Sequence, residues 1–202
     1  MDKDSKTFAV PFYSQKWDLS KWRELGFSSY EKAQYWERSC CGILCLKMAL
    51  DACLIRKKQE VAPVISKIIK KGLELNAYTH AKGWDHSGLV RLADSYGLTA
   101  ETFSRININQ LADYPKKGYF PIISIKWAFQ ANKTLKEKIF FWKKSGGHLC
   151  LVVGVEEKDG KVTGFYVHHT SIRQEYNWTG RFIPVKEFKK GFTGRGLVIR
   201  DK

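Results

Sequence analysis

No segment of this 202-residue chain reaches the roughly 18 consecutive apolar residues that a membrane-spanning helix requires. Its beginning, Met1-Asp2-Lys3-Asp4-Ser5-Lys6, lacks the basic and then apolar stretches of a secretory signal, so a cytoplasmic location is expected unless a leader has been removed. The chain has no internal repeat, no low-complexity linker and no clear boundary, which predicts one domain over residues 1–202. The five cysteines are an odd set crowded toward one predicted helix rather than the even, spaced set of a disulfide framework, and they read as reduced thiols. Cys40-Cys41 and Cys45 also lack the paired C-x-x-C spacing of zinc sites, so neither a metal nor another cofactor is expected. No helix-turn-helix, zinc-finger or RNA-motif signature supports a nucleic-acid module.

Acidic residues are the other shortage, with 20 Asp and Glu against 35 Lys and Arg, for a net charge of +15. The cations gather in Arg56-Lys57-Lys58, Lys67 to Lys71, Lys116-Lys117, Lys133 to Lys144 and Lys189-Lys190. Such a surface attracts an anionic partner without choosing among nucleic acid, acidic peptide, wall polymer and lipid headgroup, and a solvated lysine-rich surface explains it equally well.

What remains is ordinary globular composition, 44% apolar with seven tryptophans. Apolar periodicity predicts helices over 42–54, Val61 to Lys71 and Gly88 to Tyr96. Aromatic and β-branched runs predict strands over 100–104, 120–127, Gly147 to Val155, Lys161 to His168 and Leu197 to Arg200. Helices first and an antiparallel sheet second make an α+β fold.

Two places in this pattern carry chemistry. Cys41-Gly42 opens the first predicted helix, where backbone N–H groups and the helix dipole favour a thiolate. Gly146-Gly147-His148 opens the strand Leu149-Cys150-Leu151-Val152-Val153, placing an imidazole at a strand start with its approach cleared of side chains. A thiol and an imidazole are the two halves of a cysteine nucleophile site. Cys45, Cys53 and Cys150 fall inside apolar patterns and read as small core residues, and Cys40 reads as a neighbour of the nucleophile.

The ordered set Val10-Pro11-Phe12-Tyr13-Ser14-Gln15, Cys41-Gly42, Gly83-Trp84 with Gly88-Leu89, Pro121-Ile122-Ile123-Ser124-Ile125 and Gly147-His148 resembles the papain-like cysteine peptidases. More narrowly it is similar to their family thirty-nine, whose transporter-fused members remove double-glycine leader peptides. The resemblance runs from about Val10 to Ile199. It implies a papain-like fold with N-terminal helices on a C-terminal antiparallel sheet, Cys41 as nucleophile and His148 as general base. It also implies Gln15 as an oxyanion-hole donor beside the Cys41 backbone N–H.

This chain departs from that pattern at the helix start, where Cys41-Gly42 is followed by Ile43-Leu44-Cys45, and in the long Trp- and Tyr-rich insertion from Trp17 to Trp36. A further departure is His169, which stands where the family places an Asp or Asn to orient the catalytic imidazole. A neutral histidine accepts a hydrogen bond but brings no charge. Asp85 or Asn177 taking that place is the alternative. The expected function is therefore hydrolysis of an amide bond in a peptide or protein substrate. The alternatives are a silent papain-like binding module for a peptide or anionic partner, and an acyl or amine transferase using the same dyad.

Overall fold

All but one of the α-helices begin where a short polar side chain or a proline-restricted backbone can start one. In a computed structural model, which describes residues 3–7, 9–60, 62–130 and 148–202, the Ser29 hydroxyl accepts the Lys32 N–H and opens α1 (Tyr30–Ser39). Helix α2 (Cys41–Arg56) follows after the single joint residue Cys40, and every residue from Gly42 to Cys53 is buried. Helix α3 (Ile65–Glu74) starts later than the predicted Val61, because Pro63 disfavours helical geometry at Ala62, the residue before it, and Val64 is the extended N-cap at φ −56°, ψ 152°. Asp85 caps α4 (His86–Ser95) by accepting the Gly88 N–H at 2.7 Å. A reciprocal pair between Asn107 and Gln110 starts α5 (Ile108–Lys116), and α6 (Val185–Gly191) comes near the end of the chain.

The strands are β1 (Lys3–Thr7), the short pair β2 (Tyr78–Thr79) and β3 (Gly83–Trp84), then β4 (Thr99–Phe103), β5 (Phe120–Ile125), β6 (His148–Lys158), β7 (Lys161–His169), β8 (Trp178–Pro184) and β9 (Phe192–Arg200). The main sheet is antiparallel in the order β4-β9-β5-β6-β7-β8, and β1 pairs with the far half of β6, where β5 has ended. This is the α+β layout expected from the helix-then-strand order.

Alternation along the strands sends residues to two hydrophobic clusters. Phe120, Ile122, Leu149, Leu151 and Leu197 join α2, α3 and α4 on one face, while Ile123, Ile125, Cys150, Val152 and Val198 join α5 and α6 on the other. Helix α2 lies so close to β6 that a Cβ on Gly42 would sit 3.0 Å from Leu149 Cδ1, 3.2 Å from Leu89 Cδ1 and 3.2 Å from Trp84 Cβ. Gly42→Ala should leave the unfolding free energy within about 1 kcal/mol of wild type, since alanine's helix preference offsets the overlap. Gly42→Val adds branches with nowhere to go and should cost about 2–3 kcal/mol, read by urea denaturation. Equal, small effects from both would show that the helix and strand are not packed this tightly.

Candidate functional site

Cys41 is the first residue of α2 and is partly exposed, whereas Cys40, Cys45, Cys53 and Cys150 are buried. Burial of its surroundings pushes the Cys41 thiol above its ordinary value. Hydrogen bonds from the backbone N–H groups of Leu149 and Gly42, and its own, act the other way by favouring the anion. The bond from Leu149 matters geometrically, because it holds the sulfur against the residue that follows His148.

His148 is the first residue of β6 and pairs with Ile125. Burial pushes its pKa down to about 4, partly offset by a hydrogen bond to the Thr170 backbone. Nε2 is buried without a partner, so the Thr170 bond belongs to Nδ1. The resting site therefore holds a neutral thiol and a neutral imidazole, with no hydrogen bond between them. Gly146 and Gly147, read from the sequence as clearing the approach to His148, lie outside the described residues.

His169 lies against His148, with ring centroids 4.6 Å apart and planes tilted by 43°. Its Nδ1 donates to the Tyr176 carbonyl at 2.6 Å, which leaves Nε2 without a proton and, like that of His148, without a partner. Burial and the neighbouring His148 push its pKa down to about 3. The two rings meet at a tilt without a hydrogen bond, so the group that orients His148 is the Thr170 backbone. Neither of the other sequence candidates reaches it. Asp85 is occupied as the α4 cap, and the Asn177 side chain bonds Ser171 and Arg173.

His168, next in sequence, faces the opposite side and has a structural task. Its Nε2 donates to the Val10 carbonyl at 3.0 Å and its Nδ1 accepts the Gly180 N–H at 2.9 Å, with Phe12 edge-on at 5.5 Å. This fixes the extended segment that leads to Gln15. Two further anchors hold that segment to the helices: the Tyr13 hydroxyl donates to Asp51 Oδ2 at 2.7 Å, and Glu37 Oε1 accepts the Trp17 N–H at 3.1 Å. Gln15, between them, is 4% exposed and its Oε1 has no partner. Trp17 and Trp84 are buried in the helical cluster, and the Trp84 indole donates to the Ser39 carbonyl at 2.8 Å.

Four histidines thus have depressed pKa values: His148 at about 4, His169 at about 3, and His86 and His168 shifted in the same direction by burial. The unfolded chain binds protons at these groups from about pH 6.5 downward, before the folded chain does. Stability is therefore complete above pH 6.5 and is lost as the pH falls toward 4. A Tm lower by about 5–10 °C at pH 4.5 than at pH 7 is expected, with part of the loss removed in His169→Phe. A flat Tm over that range would contradict the burial of these rings.

No family model and no curated protein matches the chain. Solved structures do. A double glycine motif protease from an AMS/PCAT transporter, solved with a leader peptide, is 20% identical over 97% of this chain and 94% of its own, with a TM-score of 0.53. A protein from Bacillus anthracis described as a C39-like peptidase is 14% identical over 98% of both chains, with a TM-score of 0.58.

This chain has the papain-like fold of the double-glycine peptidase domains.

The peptidase domain of Streptococcus ComA, a bifunctional ABC transporter of a quorum-sensing pathway, shares the C39 fold at 15% identity, over 81% of this chain and 93% of its own, with a TM-score of 0.51. Within that peptidase-like fold the chain has a cysteine at a helix start and a histidine at a strand start. Among the described residues, no group of three or more His, Cys, Asp or Glu side chains is placed to hold a metal, and no helix is long and apolar enough to cross a membrane. Sequence reasoning missed the Thr170 backbone as the group that orients His148, and no residue type could have signalled it. It also missed a polar pair, His86 and Ser124, whose side chains meet at 2.8 Å.

Proposed function

We propose that this protein is a cysteine hydrolase of peptide bonds. Cys41 attacks the scissile carbonyl while His148 Nε2 takes the thiol proton and then gives it to the leaving amine, after which water releases the acyl group from Cys41. Gln15 and the Cys41 backbone N–H stabilise the oxyanion. The observation that supports this reading is the approach of the Leu149 backbone to the sulfur of Cys41, a partly exposed thiol, because Leu149 directly follows His148 in β6. The leader peptide bound by one structural relative supports an extended peptide as the substrate class.

Because thiol and imidazole are both neutral at rest, the proton moves as the carbon–sulfur bond forms, in the manner of a serine hydrolase. His169 contacts the base without charging it, so His148 works without the carboxylate that would stabilise its charged form.

The test is a randomised peptide library incubated with wild type and with Cys41→Ala and read by mass spectrometry. Cleavage at a consistent motif that disappears in the variant supports hydrolysis. The unpartnered His148 Nε2 and the raised thiol pKa favour a second reading, a cleft that binds peptide without cutting it. That reading predicts retention of a peptide subset, uncleaved and unaffected by Cys41→Ala. The basic surface is compatible with an anionic partner for either reading.

A further inference from the structure

Along β5, the side chains that face the helices are Phe120, Ile122 and then Ser124. The first two are apolar and belong to the helical cluster, so alternation calls for a third apolar residue at 124. The chain instead places a hydroxyl there, 8% exposed, and gives it a histidine partner. Polar groups that break a core pattern mark sites where something other than packing is being served.

The location of this break is specific. Ser124 pairs directly with Leu149, the residue whose backbone holds the Cys41 sulfur. His86, its partner, is the first residue of α4, one turn before Leu89, which packs against Gly42 in the first turn of α2. Ser124 is also fixed from behind, since its carbonyl accepts the Thr193 hydroxyl at 2.9 Å. The pair is therefore linked to Cys41 on two sides, through Leu149 on β6 and through Leu89 and Gly42, and His148 precedes Leu149 at the start of β6. The mechanism above uses neither residue.

We infer that Ser124, locked by His86, is a substrate-positioning residue that hydrogen-bonds the main chain of the bound peptide next to Cys41. This rests on the hydrolase reading. A hydroxyl has one proton and two lone pairs, and the 2.8 Å contact with His86 Nε2 uses one of these functions, leaving the rest for the substrate. Serine is also smaller than Phe120 and Ile122, which precede it on this face, so the backbone of an extended peptide can come closer to the sheet at this position. The hydrogen bond it offers orients the scissile carbonyl over the sulfur without taking part in bond making.

The competing account is that the pair only ties α4 to β5. Two reagents that react with the same sulfur separate the two. Iodoacetamide is too small to need positioning, whereas acetyl-Ala-Ala chloromethyl ketone carries a peptide main chain. Both are timed at Cys41 by mass spectrometry in wild type, Ser124→Ala, Ser124→Thr, His86→Leu and His86→Gln. Ser124→Ala and His86→Leu should slow the peptidyl reagent about tenfold, the loss of one hydrogen bond, and leave iodoacetamide unchanged. Ser124→Thr and His86→Gln keep the hydroxyl and its partner and should recover most of the rate. Equal slowing of both reagents, or no change in their ratio, would overturn the assignment. Failure of the hydrolase reading looks different, because Cys41 of wild type would then respond to neither reagent faster than an ordinary thiol, and the assignment would fall with it.

Discussion

Replacing His148 with alanine should lower kcat/KM for a cleaved peptide about 10³-fold, the scale of a lost general base. The wild-type profile should also keep its activity unusually far into acid. A base must be unprotonated, and burial holds His148 at about 4 rather than the ordinary 6.5, so the acid limb of kcat/KM should lie near pH 4. A resting thiolate–imidazolium pair would behave differently, with its acid limb reporting ionisation of the thiol. Here burial raises the thiol and lowers the imidazole, so the neutral pair dominates throughout the neutral range. His169→Ala should have a much smaller effect, because the His169 Nδ1 proton is committed to Tyr176 and no bond reaches His148. An effect of His148→Ala below tenfold, or an acid limb at 6.5, would contradict this account of the base.

Asp51→Ala should be the most damaging substitution away from the sulfur, costing about 3–5 kcal/mol. Asp51 is fully buried in α2, where Lys47 Nζ reaches it at 2.9 Å, the Ala62 N–H at 2.6 Å and the Tyr13 hydroxyl at 2.7 Å. Lys47 also donates to the Ala62 carbonyl at 3.1 Å, but that bond carries no compensating charge. Alanine would leave a buried ammonium and two buried donors without their acceptor. The consequence extends to function, since Tyr13 is one of the anchors that place Gln15. Urea denaturation gives the stability loss, and a Lys47→Met, Asp51→Leu double variant should regain part of it by removing both charges together. A loss below about 1 kcal/mol in Asp51→Ala would show that the network carries little.

Much of this architecture could be read from particular residues. The apolar run after Cys41-Gly42 became α2 nearly at its predicted bounds, and the aromatic and β-branched runs became β4, β5, β6, β7 and β9. These elements are buried on one or both faces, so their pattern is set by the core and survives in the sequence. Helix α1 reads in the sequence as part of an aromatic insertion because only Ala33 and Glu37 are buried in it, although Ser29 does cap it. Helix α5 carries its start signal in Asn107 and Gln110, outside any long apolar run. The site divides along the same line. The places of Cys41 at a helix start and His148 at a strand start were legible because both have local signatures. The orienting contact from Thr170 was not, because a backbone carbonyl is the same in every residue. Nor was the split between His168 and His169, which turns on which face of β7 each occupies.

The most direct measurement is acylation of the sulfur by a short acetyl-peptide p-nitrophenyl ester, followed by quenching and mass spectrometry at each cysteine. The account predicts a peptidyl adduct on Cys41 alone that forms at pH 7, turns over in wild type, and forms at least a hundredfold more slowly in His148→Ala, as expected for a lost base. An adduct spread over several cysteines, or a rate at Cys41 that ignores His148, would contradict it.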